Sequence, residues 1–476
     1  MSEYERIESF ANMLGEYGGD PILVGGAVRD MVRAGEGTPK NAKDWDIEVY
    51  DLTLPRLKDF LEDFGYHYDE VGEHFSVLKV HVPGVSQPVD LSIPRYEKST
   101  GDGHKEFEVM TDPNLTFAEA AKRRDFTMNS LGYSLTNGTL LDPYNGAQDA
   151  KAGYIRHLSD QFADDPLRPL RAARFAARFG YNLVLDTLDL CRSMTSLAQS
   201  LPAERVWMEV EKNIHESLYP GNFFQWLHVM HWLELLFPEI AGLRGVEQDQ
   251  EWHPEGDVFE HTIHALNYWA ANLRTGNKED DLITAIAILC HDFGKVTTSE
   301  WNEEKQHITA YGHEEAGAEP TRTFLHRLRQ YELAKEVVPL VENHLAPVYG
   351  LKSPRSIRRL SVKVRRLDLL ANVSRADQGG RPPRDVSEGM AQIDYFEEQV
   401  KFNDIPVGGP KPLVGGDYLI SLGMKPGPVF GDILGKMYDL QLEGELETVA
   451  EAQHWIIKEL GHRYEQAAAQ DALRYL

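Results

Sequence analysis

The spacing of apolar and polar positions changes along the chain. Up to about residue 150, short apolar runs ("PILVGG", "WDIEVYDL", "FSVLKVHV", "PVDLSIPR", "TLLDPYNG") punctuate helical stretches. Runs of that length bounded by Gly, Pro and Asp read as strands, so a mixed sheet with helices is expected there. From 151 to 245 the spacing is helical, as in "LRPLRAARFAARFG" and "FFQWLHVMHWLELLF". Residues 246–395 also read as helical, and histidines gather in them. "DQGGRPPRD" (377–385) and "NDIPVGGPKPLVGG" (403–416) are rich in breakers and mark expected boundaries. A small helical tail, 396–476, closes the chain. The expected fold is therefore an α+β first region followed by all-α pieces.

At 476 residues the chain exceeds one ordinary core, which implies several domains. The net charge of −26 disfavours non-specific polyanion binding, so any nucleic-acid partner needs local basic surfaces. "LKSPRSIRRLSVKVRR" (351–366) is one candidate, with Lys352, Arg355, Arg358, Arg359, Lys363, Arg365 and Arg366 and no acid. Arg171, Arg174 and Arg178 form a second stripe. Two cysteines, Cys191 and Cys290, exclude a disulfide framework and imply a reducing compartment. The start has no signal-peptide pattern, and "LITAIAILC" is too short to span a bilayer. A cytosolic protein without a membrane partner is expected.

Candidate chemistry begins at "PILVGGAVRDMV" (21–32), where an apolar strand meets Gly25-Gly26 and a helix carrying Arg29. Such a turn lets phosphate approach a helix N-terminus, although alone it is more often structural. "KNAKDWDIEVYD" (40–51) follows. On a strand, Asp44, Asp46 and Glu48 would share one face, with Trp45, Ile47 and Val49 on the other. Solvent alone would explain a carboxylate face. After a phosphate-binding turn, however, Asp44 and Asp46 suit Mg²⁺ and nucleotidyl transfer. In "EAAKRRDFTMNSLGYSL" (119–135), Lys122, Arg123 and Arg124 form a positive cluster, and a helix would put Asp125 and Asn129 on one side.

"VGGAVRD", "DWD", "RRDFTMNS", "DPYNG" and "DDPLRPLRAARFAARFG", in that order over most of 20–180, resemble bacterial-type (class II) tRNA nucleotidyltransferases and their poly(A) polymerase relatives. "LVGGDYLISLGMKPGPVFGDIL" looks like a tail segment of many members. The resemblance implies a nucleotidyltransferase head with a mixed sheet (1–150), a helical neck (151–245), a body and a tail. It assigns Gly26 and Arg29 to the triphosphate, Asp44 and Asp46 to Mg²⁺, and Arg124 to the nucleotide. "ADDPLRPLR" (163–171) corresponds to the family's base-selecting motif, with Asp164 in place of the usual Glu. Asp165, Arg168 and Arg171 would share a helical face and offer acceptors and donors to a base edge. Asp165 is also placed to cap a helix beginning at Pro166. Asp125 and Asn129 join the expected nucleotide-binding set. "RYEKSTGDGHKEFE" (95–108) reads as a surface loop and resembles the flexible loop needed to change specificity from C to A.

The second constellation is His261 in "DVFEHTIHAL", His291 and Asp292 in "LCHDFGK", and Asp377 in "SRADQGG". Imidazole and carboxylate donors suit a divalent transition metal, while lone helical histidines are usually structural. The order H…HD…D resembles the HD phosphohydrolase superfamily, and some tRNA nucleotidyltransferases carry such a domain (246–395). His313 and His344 are further candidates whose roles stay open. The resemblance implies an enzyme that adds the CCA end to a tRNA 3′ end from CTP and ATP, with a phosphohydrolase alongside. An A-adding enzyme or poly(A) polymerase would share the head motifs. An HD phosphohydrolase with an inactive RNA-binding head is the alternative of another class, and the Asp44/Asp46 pair opposes it.

Overall fold

The computed structural model describes residues 1–42, 44–71, 77–99, 107–349 and 353–473. They divide into two compact units, Met1–Pro238 and Glu239–Leu476.

The first unit is built on a seven-stranded sheet. Its strands are β1 (Asp20–Val24), β2 (Asp46–Tyr50), β3 (His67–Val71), β4 (Val77–His81), β5 (Val89–Ser92), β6 (Gly132–Ser134) and β7 (Leu140–Leu141). The spatial order is β3-β4-β5-β2-β1-β6-β7. β2 and β5 run parallel while the other pairs are antiparallel, so the sheet is mixed, as expected. Trp45, Ile47 and Val49 are buried on one face of β2, which supplies the reason for the strand. β3, "HYDEV", lies at the sheet edge and is mostly exposed, so it lacks the apolar signature that marked the other strands. Helix α1 (Glu3–Glu16) buries Ile7, Phe10 and Leu14, and Ser2 and Glu5 close a capping box at its start.

Residues 95–99 and 107–111 pair as antiparallel strands where a loop was expected, while 100–106 of that stretch lie outside the described residues. Beyond the sheet come helices α2 (Gly26–Ala34), α3 (Arg168–Phe179) and α4 (Ala203–Glu216). Among the described residues the second unit is helical apart from one short strand pair, Glu300–Asn302 with His307–Thr309. Helices α5 (Val258–Asn272), α6 (Lys278–Cys290), α7 (Pro354–Val364) and α8 (Leu367–Gly379) carry its chemistry. No described helix is long and apolar enough to cross a membrane.

Candidate functional site

In the first unit, β1 enters α2 through Gly25, whose φ of 77° favours glycine. A Cβ there would stand 3.4 Å from Asp46 Oδ2, so the turn approaches the carboxylate closely. Arg29 is buried, with its guanidinium over the rings of Phe175 and Phe179. Its Nη1 donates to Asn129 Oδ1 at 2.9 Å. Asn129 Nδ2 donates to Asp125 Oδ1 at 2.9 Å, and Arg171 reaches Asp125 Oδ2 through Nε at 2.8 Å and Nη2 at 2.6 Å. Arg29, Asn129, Asp125 and Arg171 thus form one chain of bonds linking α2 to α3. Burial opposes the charge of Asp125, yet Arg171 and Asn129 hold its pKa below the usual range. The α-helix expected at 125–129 is a 3₁₀ turn, Thr127–Asn129, and it still brings the two side chains together.

The carboxylate face differs from the expectation. Asp44 precedes the strand and is exposed. Asp46 and Glu48 share a face of β2, but Glu48 is buried, not solvated. It accepts hydrogen bonds from Tyr50 Oη (2.9 Å), Arg123 Nη2 (2.8 Å) and Arg124 Nη2 (3.0 Å). Burial works against its charge, and Arg124 and Arg123 outweigh burial, so its pKa is lowered. Arg124 is therefore anchored, its Nη1 also donating to Asn129 O at 3.0 Å.

The carboxylate that does stand beside Asp46 is Asp90, its register partner on the parallel strand β5. Lys79 Nζ lies 2.8 Å from Asp90 Oδ1. Asp46 keeps some solvent exposure yet is walled by protein, and its pKa is raised to about 6 by that burial and then by Asp90 and Asp44. Sequence reasoning marked "PVDLSIPR" as a strand without singling out Asp90, because only the parallel pairing brings it to Asp46.

The residues expected to bind nucleotide, Gly26, Arg29, Arg124, Asp125, Asn129, Asp165, Arg168 and Arg171, all line one cleft of about 560 Å³ with Asp46 and Asp90. Asp44 lines an adjoining cleft of about 480 Å³, which Asp46 also borders.

Within the first cleft the shared helical face is not formed, because Asp165 is extended and α3 starts at Arg168. Pro169 sits in the first turn of α3, where proline is tolerated. Asp165 Oδ1 accepts from Leu167 N at 3.0 Å and meets Arg205 Nη2 at 3.3 Å, so it caps the approach to the helix, not its first turn. Arg168 Nη1 and Nη2 donate to Gln161 O (2.5 Å) and Arg123 O (2.9 Å).

The expected RNA-tracking surfaces are largely paired within the protein. On α7, Arg355 and Arg359 share Glu443 and Arg358 donates to Leu442 O; just beyond it, Arg366 holds Asp280. Arg174 and Arg178 share Glu216. Lys352 lies outside the described residues.

In the second unit the histidine constellation converges. His261, His291, Asp292 and Asp377 are each at most 2% exposed. His261 Nε2 lies 3.0 Å from Asp377 Oδ1, and His291 Nε2 lies 3.2 Å from Asp292 Oδ2. His313 and His344 join them: His313 Nε2 is 3.4 Å from Asp292 Oδ1 and 3.3 Å from His344 Nε2.

Three of these rings face backbone carbonyls through Nδ1: His291 at Ile288 (2.6 Å), His313 at Ala310 (2.7 Å) and His344 at Val341 (2.8 Å). A carbonyl only accepts, so Nδ1 carries the proton and a neutral ring presents a bare Nε2. Burial beside His291 and His313 pushes His344 down to about 3, which keeps it neutral. Facing Nε2 atoms of this kind can share a cation, and the donors fit a divalent transition metal. Asp292, His313, His344 and Asp377 line a cavity of about 300 Å³ that also holds Lys295 and Arg381. Lys295 Nζ lies 2.7 Å from Asp292 Oδ2, and Arg381 Nη2 lies 2.6 Å from Asp377 Oδ1.

A carboxylate-bearing mixed sheet in one unit and a buried histidine–aspartate cluster in the other define a nucleotidyltransferase head joined to an HD domain. Residues 22–156 match the Poly A polymerase head domain and 258–374 match the HD domain. The chain is 35% identical over 394 residues to the Multifunctional CCA protein of Haemophilus influenzae (strain PittGG), covering 79% of this chain and 88% of that protein. The Multifunctional CCA protein of Nitrosococcus oceani is 39% identical over 311 residues, 64% of this chain and 70% of that one. The chain belongs to the family of these multifunctional CCA proteins. Its fold matches a Bacillus stearothermophilus CCA-adding enzyme solved with CTP, with a TM-score of 0.65, 20% identity, and coverage of 98% of this chain and 100% of that one.

Proposed function

We propose that this protein is a template-independent nucleotidyltransferase that builds the 3′-terminal CCA of tRNA from CTP and ATP. The cleft where Asp46 and Asp90 meet the whole expected nucleotide set carries this reading. The terminal ribose hydroxyl attacks the α-phosphate, forming a new P–O bond while the α–β bond breaks and pyrophosphate leaves. Asp44, Asp46 and Asp90 would hold Mg²⁺, and their mutual repulsion at Asp46 fits a divalent cation. When bound, Mg²⁺ supplies charge stabilisation at the transferring phosphate and acidifies the attacking hydroxyl. Gly25 and Gly26 let the triphosphate approach the α2 N-terminus, and Arg29 stands beside it, fixed by aromatic rings and Asn129. Asp165, Arg168 and Arg171 border the space left for the base. Arg171 is locked to Asp125, and Arg168 to backbone carbonyls, so the wall they form is rigid.

We divide the chain into a head (1–150), neck (151–245), HD body (246–395) and tail (396–476), a division supported by the seven-stranded sheet falling wholly within the head. His261, His291, Asp292 and Asp377, with His313 and His344, would hold a divalent transition metal in the HD body. Such an ion supplies an acidified water for phosphoester hydrolysis. Arg381 and Lys295 keep Asp377 and Asp292 ionised and in place. We read the substrate as damaged RNA 3′ ends bearing 2′,3′-cyclic or terminal phosphates. Buried, free Cys191 and Cys290 support work in the cytosol.

The test offers tRNAs ending at the discriminator base, at C and at CC, with CTP and ATP separately, and sequences the 3′ ends. Ordered addition of C, C and A is expected. A product with A alone, or an A tract, would replace this reading with the A-adding or poly(A) alternative.

A further inference from the structure

Glu255 lies in "HPEGD", ahead of α5, with its side chain wholly buried. Its Oε1 accepts from His261 Nδ1 at 2.7 Å and from His253 Nδ1 at 2.9 Å. The turn is held firmly: Asp257 Oδ1 accepts from Glu260 N at 2.9 Å and Oδ2 from Gly245 N at 2.7 Å, while Gly256 takes a φ of 136°. The second oxygen, Oε2, is buried with no hydrogen-bond partner. A residue serving stability alone gains little from a buried carboxylate with a bare oxygen. A carboxylate that must orient and polarise a ligand ring gains a great deal.

We infer that Glu255 is a positioning residue for the HD metal centre: by accepting from Nδ1 of His261 it keeps a proton on that nitrogen and aims Nε2 at Asp377 and His291. The inference rests on the metal reading proposed above. His291, His313 and His344 are oriented by backbone carbonyls, so His261 is the ligand ring whose orientation depends on a charged side chain. That charge also makes His261 a stronger donor. His253, bonded to the same oxygen, lines the cavity and also holds Glu255.

The test titrates Co²⁺ into the metal-free full chain, following affinity by calorimetry and the ligand-field absorption of the ion. A background carrying His81→Ala and Asp46→Ala removes the exposed His67, Asp69 and His81 cluster and the head carboxylates as competing donor sets. Glu255→Ala should weaken Co²⁺ binding about 10- to 100-fold and alter the absorption bands. Glu255→Gln keeps an acceptor for both rings and should recover part of that loss, with far-UV circular dichroism reporting an intact fold. Parental affinity and spectrum in Glu255→Ala would overturn the inference, as would a Glu255→Gln variant no better than Glu255→Ala. If the parent carrying His81→Ala and Asp46→Ala itself bound no Co²⁺, the metal reading would fall and the inference with it; that failure appears in the parent, not in the variants.

Discussion

The two candidate cation sites follow opposite electrostatic plans. In the head, Asp46 and Asp90 stand side by side on parallel strands, Asp44 adds a third carboxylate, and the cleft is open. Repulsion and partial burial show in Asp46, whose pKa rises to about 6. In the second unit, Asp292 and Asp377 are sealed from solvent. Although burial opposes their charge, His291 and Lys295 in one case and Arg381 and His261 in the other hold them well below the usual range. An open cluster stores repulsion that an arriving cation relieves, which suits an ion that comes and goes with a nucleotide. A closed cluster of compensated carboxylates and imidazoles suits a resident metal.

The largest test of this contrast is reciprocal. Asp46→Ala should cut nucleotide addition on the order of 10³-fold, equivalent to about 4 kcal/mol, while leaving phosphoester hydrolysis intact. Asp292→Ala should do the reverse. Both activities are read in the same preparations, by 3′-end sequencing and by phosphate release with added divalent metal. Addition that persisted in a folded Asp46→Ala protein would end the head assignment.

Stability gives the next contrast. Asp377→Ala strands Arg381 as a buried, unpaired cation and should cost about 3–5 kcal/mol in metal-free protein. Asp90→Ala breaks a partly exposed pair with Lys79 and should cost no more than about 1 kcal/mol. Urea midpoints for the two variants decide whether compensation in the second unit is as tight as its distances indicate.

Arg168→Ala leaves the Gln161 and Arg123 carbonyls without their donor and should lose about 1–3 kcal/mol. If Arg168 also shapes the base-reading wall, misincorporation of UTP or GTP should rise relative to correct addition. Stability loss with unchanged selectivity would confine Arg168 to a latch.

The smallest effect tests the stored repulsion itself. Asp46 has a folded pKa of about 6, above its ordinary 3.8, so its stabilising contribution is complete below about 3.8 and is lost as pH rises through 6. Without Mg²⁺, Asp46→Asn should therefore be more stable than the natural protein at pH 8, by about 1 kcal/mol once solvent screening of this exposed group is allowed for. The gain should shrink through pH 6 and vanish below pH 4. A flat difference across that range would mean Asp46 carries no such strain.

Local pattern and residue chemistry determined much of this protein. The β1–Gly–α2 turn, the strand through Asp46, the helix through Arg171 and the donor types of the HD cluster all follow from spacings of a few residues, where periodicity and turn preferences act. Tertiary structure decided the rest. Asp90 became the neighbour of Asp46 through the parallel register of β2 and β5, Glu48, expected only to share a face with Asp44 and Asp46, became a buried clamp for Arg123 and Arg124, and Asp165 fell outside the helix it was expected to share. β3 formed without an apolar signature because pairing with β4 satisfies its backbone. His313 and His344 reached Asp292 only once the helices had packed. Each of these depends on which distant segment lies alongside. That is settled by the burial of whole faces and by long-range hydrogen bonding, neither of which leaves a mark in local sequence.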